Sequence, residues 1–179
     1  MTHPDQFKPK EGYEAKINVI KVANDPFLNF MLFAGVGLPY RWSSRFRFSI
    51  VEWNEYFKRN DLRTYLGFLG EKLIGYFELV VNDVDTEIIF FGMFPSFTGK
   101  GLGGYFLSHA VKCAWETGAQ RIWLHTCTSD NTNALPNYLA RGFEVFEVKS
   151  AVENLPGPDD LVEKISTYFR DYMNYYKVE

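Results

Sequence analysis

Apolar and polar residues alternate along residues 15–22 (AKINVIKV), the period of two that marks a half-buried β-strand. The next apolar run, residues 27–37 (FLNFMLFAGVG), follows Asp25 and Pro26 and closes near Gly35 and Gly37. A cap residue and a first-turn proline at the start, with glycine at the end, predict a helix there. Ser49 and Glu52 have the spacing of a capping box for a second helix over residues 50–58. Residues 63–69 (RTYLGFL) and 73–81 (LIGYFELVV), joined by Gly70-Glu71-Lys72, read as a hairpin. Residues 86–94 form a nearly continuous apolar run, expected to be a strand covered on both faces and central in its sheet.

Beyond a glycine-rich turn, Leu102, Phe106, Ala110, Val111 and Ala114 share one helical face, and Gly118 marks a stop after about Thr117. A strand is expected over residues 121–127, a short helix over 131–141 ended by Gly142, and a strand over 143–148. The breaker cluster at 154–158 precedes residues 159–172, where Leu161, Val162, Ile165, Tyr168, Phe169 and Tyr172 recur at helical spacing. Mixed strands and helices, with a strand-helix-strand crossover in the second half, indicate an α/β or α+β fold.

Composition narrows this picture. At 179 residues the chain is the size of one domain. Its 17 Phe, 11 Tyr and 4 Trp are numerous enough to supply a core and line a concave site. The net charge of -3, with scattered basic residues, argues against a nucleic-acid partner. Neither a signal-peptide pattern nor an apolar run of about 18 residues is present, so a cytoplasmic protein without a membrane partner is expected. Cys113 and Cys127 are isolated and read as free thiols, not as a disulfide or a zinc site.

The chemistry concentrates in residues 87–104 (EIIFFGMFPSFTGKGLGG), where an apolar strand passes through a proline turn into glycines at 99, 101, 103 and 104 that open a helix. Such glycines remove the Cβ atoms that would hold a phosphate away, and the helix aims unpaired N–H groups and its positive end at the same place. A phosphate-bearing ligand follows. Gly99 to Gly104 also fits G-x-G-x-x-G, the dinucleotide fingerprint. A dinucleotide fold, however, puts that turn after its first strand and ends the next strand with an acid, whereas here about half the chain comes first and Cys127 ends the next strand.

Pro95, Thr98-Gly99-Lys100-Gly101-Leu102-Gly103, the next strand, and Asn131-x-x-Ala134-x-x-x-Tyr138-x-x-x-Gly142-Phe143 together resemble the GNAT superfamily of acyl-CoA N-acyltransferases. The segment HTCTSDNTNALPNYLARGF looks like an uncharacterised bacterial subgroup of it. The family's R/Q-x-x-G-x-G/A motif is met except at its first position, where Thr98 stands. The resemblance implies a mixed β-sheet splayed at its middle and flanked by helices. It implies a single N-acetyltransferase domain over residues 1–179, with a core of about 14–149. Residues 154–179 depart from the family, where a final strand usually pairs with residues 143–148, and read instead as a helical extension that would cover the acceptor site or pack in a dimer. Acetyl-CoA is the implied cosubstrate, without a metal, its acetyl group passing to a primary amine by direct attack. The alternative, motivated by Thr98, is an inactive CoA-binding module of the same fold. Thr98, Gly99, Lys100, Gly101, Gly103 and Gly104 would hold the pyrophosphate, and the backbone around Met93 and Phe94 would pair with the pantetheine arm. Asn131 would contact that arm or fix the turn beneath it. A homodimer is common in relatives, and the acceptor amine stays open.

Amide formation from a thioester needs a neutral amine, a polarised carbonyl and a proton for the departing thiolate. A tyrosine, of ordinary pKa about 10 against about 8.5 for a thiol, can donate a hydrogen bond or proton to that thiolate. Tyr138 holds the family's Tyr position and is the candidate acid. Glu87 lies eleven residues before Thr98, the spacing of the base glutamate in the histone-acetyltransferase branch. An acid entering an apolar strand needs a partner or a function, unless it is solvated beside Asp83 and Asp85. His125 and Glu78 are further candidates for the base, and Cys127 reads as a core or slot-lining residue. Tyr40, Arg41, Trp42 and Arg45 fall in a loop that shapes the acceptor pocket in relatives, although packing suffices to explain Trp42 and Trp53.

Overall fold

The computed structural model describes residues 1–12, 16–150, 154–175 and 177. The chain divides into two compact units, one made of Met1–Ala23 and Asn60–Val148, the other of Asn24–Arg59 and Lys149–Glu179.

The first unit is a five-stranded sheet, β1 (Ile17–Val22), β2 (Leu62–Leu69), β3 (Lys72–Val81), β4 (Asp85–Met93) and β5 (Arg121–Leu124), in that spatial order. Ala15, the expected start of the first strand, lies outside the described residues. Strands β1 to β4 are antiparallel neighbours, and β5 joins β4 in parallel. A parallel pair needs a crossover, and α3 (Gly103–Trp115) supplies it. The face of α3 picked out by its spacing lays Phe106, Ala110, Val111 and Ala114 on Ile74, Phe77, Leu79, Ile88 and Ile122, all at most 2% exposed. Tyr138 of the short α4 (Ala134–Ala140) and Phe143 just past it join this core.

Three expectations change here. β4 does lie between two strands, but only Thr86 and Ile88 are buried and the rest of it is half-exposed. The reason is that β5 pairs with β4 only from Asp85–Arg121 to Ile88–Leu124, so the apolar run beyond Ile88 borders an opening. β5 ends at Leu124 instead of reaching Cys127. Residues 143–148 form no strand, and Val145, Phe146 and Val148 are exposed. The outer backbone edge of β5 is met at Ile122 by Met1, whose N–H donates to the Ile122 carbonyl at 2.8 Å and whose carbonyl accepts from the Ile122 N–H at 2.9 Å.

The second unit contains α1 (Pro26–Gly37), α2 (Ile50–Phe57) and α5 (Pro158–Tyr175). Both predicted caps are present. The Asp25 carboxylate accepts from the Leu28 N–H at 2.6 Å, and Ser49 and Glu52 form a reciprocal box. The expected helical extension is α5, which packs on α1 through Tyr168 stacked on Phe30 at 4.4 Å and Tyr172 against Phe27 at 4.8 Å. Trp53 is fully buried and donates its indole N–H to the Pro26 carbonyl at 2.7 Å. Arg45 also turns inward, donating to Asn29 Oδ1 at 2.7 Å with the Tyr56 ring 5.0 Å away. Packing thus accounts for both residues. No helix among the described residues is long and apolar enough to cross a membrane.

Candidate active site

The glycine loop between β4 and α3 has the backbone its sequence demands. Gly99 and Gly101 adopt φ of +71° and +73°, and a Cβ on either would meet nothing within 4 Å, so the loop presents bare, open backbone. Leu102 precedes the first turn of α3 with no side-chain cap, which leaves that turn's N–H groups for another acceptor. Thr98 donates its hydroxyl to the Pro95 carbonyl at 2.9 Å, closing the preceding turn.

Beside the loop the sheet opens. β4 carries a bulge at Ile89, since Leu79 pairs with Ile88 while Glu78 pairs with Phe90. Beyond it β4 has β3 on one side and, among the described residues, no strand on the other. Phe94 gives its N–H to the Ile74 carbonyl at 2.9 Å, so by strand alternation the Met93 N–H and C=O point into the gap and the Phe94 N–H does not.

The same alternation sorts the side chains. Thr86 faces α3, its hydroxyl 2.7 Å from that of Thr117, and Ile88 lies in the α3 core, so Glu87 projects from the opposite face. There Glu87 Oε1 lies 2.9 Å from His125 Nδ1, in the segment just past β5. The Glu87 side chain is 16% exposed and that of His125 65% exposed. The hydrogen bond that the imidazole donates to the Glu87 carboxylate raises its pKa above the ordinary value, burial opposes this, and the charges of Glu87 and Asp130 add to the rise. Neither residue is simply solvated, and two separate candidates from the sequence form one pair.

The model of the Acetyltransferase (GNAT) family matches residues 29–143, more than half the chain. The chain belongs to the GNAT acetyltransferase family. Solved structures agree on the fold. An aminoglycoside acetyltransferase, meta-AAC0020, from an uncultured soil metagenomic sample superposes with a TM-score of 0.57 at 15% identity, covering 79% of this chain and 100% of its own. The aminoglycoside acetyltransferase AAC(6')-Iy, in complex with a CoA-containing bisubstrate analogue, gives 0.55 at 12% identity over 77% and 97% of the two chains. The PaiA N-acetyltransferase of Thermoplasma acidophilum, bound to coenzyme A, gives 0.51 at 18% identity over 74% and 92%. No curated protein sequence matches significantly.

Placed on the GNAT framework, the remaining candidates separate. Tyr138 is buried on the α3 side, edge-on to Phe91 and Phe143 at 6.4 and 6.3 Å. Burial, aided by the negative charge of Asp130, pushes its phenol pKa far above the ordinary value, so it stays neutral as a donor. Asn131 fixes the turn into α4, its side-chain oxygen accepting from the Asn133 N–H at 2.9 Å and its carbonyl from the Ala134 N–H at 2.8 Å. Lys100 lies over the Phe97 ring at 5.6 Å. Gly103 and Gly104 form the first turn of α3. Glu78 is fully buried on β3, and Cys127, past the end of β5, is exposed and so not the core residue that a longer strand would make it.

Sequence reasoning missed three residues. Asp130 accepts from Thr126 Oγ1 at 2.7 Å and from the Cys127 N–H at 3.2 Å, holding the segment after His125. The Ser-Asp-Asn turn signal in front of α4 could have revealed it. Asn137 donates to the Gly103 carbonyl at 3.3 Å, and Lys10 Nζ donates to the Gly101 carbonyl at 3.1 Å. Nothing local marks either one. Among the described residues, no group of three His, Cys, Asp or Glu side chains could hold a metal ion.

Proposed function

We propose that this chain acts as a single N-acetyltransferase, moving an acetyl group from acetyl-CoA to a primary amine by direct attack. The observation that carries this reading is the Glu87–His125 pair at the point where β5 leaves β4, on the strand whose far end leads into an open glycine loop. The loop backbone of Gly99, Lys100, Gly101, Gly103 and Gly104 suits a pyrophosphate, and the gap edge at Met93 suits an amide-bearing arm.

Bound acetyl-CoA supplies the acetyl thioester, at which the new C–N bond forms as the C–S bond breaks. His125 takes the proton shed by the amine on Nε2, while Glu87 accepts from Nδ1–H and stabilises the imidazolium. This joins the two candidate bases in one unit, with Glu87 as the partner that sets the tautomer. Tyr138 holds its proton too tightly to give it up outright to a thiolate, so it serves by donating a hydrogen bond, and water supplies the proton at the end. The acceptor class favoured by the neighbours is a small molecule bearing several amines, since two of them are aminoglycoside acetyltransferases.

Thr98 favours a second reading, a CoA-binding module without turnover, because its hydroxyl is engaged within its own turn. Calorimetric titration with acetyl-CoA, CoA and NAD, followed by an acetyl-CoA turnover assay against a panel of amines, separates the two. Micromolar affinity for the first two with none for NAD, and turnover that falls about a hundredfold in Glu87→Gln and His125→Gln, is the expected result. CoA binding without turnover of any amine would favour the module. Absence of CoA binding would remove both readings.

A further inference from the structure

The first ten residues return to the glycine loop. The Lys8 N–H donates to the Arg141 carbonyl at 3.0 Å. The Lys10 N–H donates to Ser108 Oγ at 2.9 Å, and that hydroxyl donates to the Gly104 carbonyl at 2.8 Å. This fastening lets Lys10 lay its stem along the Tyr105 ring, with Nζ 4.4 Å from the ring centroid and 3.1 Å from the Gly101 carbonyl. Arg141, at the end of α4, arrives at the same turn from another direction. A Cβ added to Gly104 would lie 2.6 Å from Arg141 Nη1 and 2.7 Å from Lys10 Cδ, so the missing side chain is what admits both cations.

These charges have no acid to answer them. Among the described residues neither Lys10, Lys100 nor Arg141 is ion-paired. Arg141 Nε is buried without a hydrogen-bond partner, an arrangement that costs free energy unless an acceptor completes it. Two cations held by separate segments beside unpaired helix N–H groups describe a receptor for a multiply charged anion.

We propose that Lys10 and Arg141 are the charge partners of the CoA phosphates, in place of the long side chain absent at Thr98. This rests on reading the loop as a CoA site. It also gives the segment that runs past β5 and α4 a function, which is to deliver Lys10 to the loop.

The test is calorimetric titration of the full chain with CoA and with dephospho-CoA, at two salt concentrations, for wild type, Lys10→Met, Lys10→Arg and Arg141→Gln. Lys10→Met keeps the stem on Tyr105 and removes only the charge. The expected result is that Lys10→Met and Arg141→Gln each weaken CoA binding roughly tenfold or more and flatten its salt dependence, while Lys10→Arg restores most of the affinity. An equal loss toward dephospho-CoA assigns the pyrophosphate as partner, and a loss seen only with CoA assigns the 3′-phosphate. Wild-type affinity in both charge-removing variants would overturn the proposal and leave the CoA site standing. A wild-type protein that binds no CoA would overturn the site itself and this proposal with it. Thermal unfolding of each variant shows whether it is folded, and Lys10→Met decides alone if Arg141→Gln is not.

Discussion

Glu87 and His125 show how a strand register turns two ambiguous residues into a chemical pair. Either one alone has an ordinary explanation, a solvated acid at a strand start or a polar residue beside a sheet. At 2.9 Å each accounts for the other. Because Glu87 raises the His125 pKa, their contact adds stability that is fully present below the ordinary histidine value of about 6.5 and is lost as pH rises through the raised value. Glu87→Gln should bring the imidazole titration, followed by NMR, back toward about 6.5 and flatten this part of the pH dependence of urea unfolding. If neutral His125 is the base, the acid limb of kcat/KM moves to lower pH in the same variant. Tyr138→Phe should lower kcat about tenfold with little change in CoA affinity, measured by steady-state kinetics alongside calorimetry.

Among the elements, the turn that ends α4 is constrained by a segment far away in sequence. Gly142 has φ of +96°, and a Cβ there would collide with the Gln6 carbonyl oxygen. Gly142→Ala should destabilise the protein by about 2 kcal/mol or more, from left-handed strain plus displacement of the N-terminal segment, as read by urea denaturation. If that segment delivers Lys10, the same variant also weakens CoA binding. In the helical unit, Asp25→Ala removes the acceptor for the Leu28 N–H and should cost about 1 kcal/mol. Both helix caps were legible in the chain because a cap is a local bargain between a side chain and the next turn. The end of β5 was not, because strand length depends on how long a partner stays alongside, and β4 and β5 part after Ile88 and Leu124. Residues 143–148 carry a strand-like alternation, but alternation makes a strand only where a neighbouring strand pairs with it, and none pairs here.

For the molecule as a whole, a ligand that binds only the folded chain should stabilise it by mass action. CoA at about 100 times its Kd should add about 2.7 kcal/mol, seen as a rise in Tm, with hydrogen-exchange protection growing at residues 98–104. The sequence by itself determined the element order apart from the strand expected over residues 143–148, the helix caps, the buried face of α3 and the glycine turn that opens it. Each of these depends on residues within a few positions of one another, where spacing and conformational preference are decisive. Only the tertiary structure decided that Glu87 meets His125, that β4 lines an opening, and that Lys10 and Arg141 converge on Gly104. Those contacts join residues tens of positions apart. They exist because strand register, a bulge and a glycine too small to exclude its neighbours bring the chain back on itself, which no local pattern encodes.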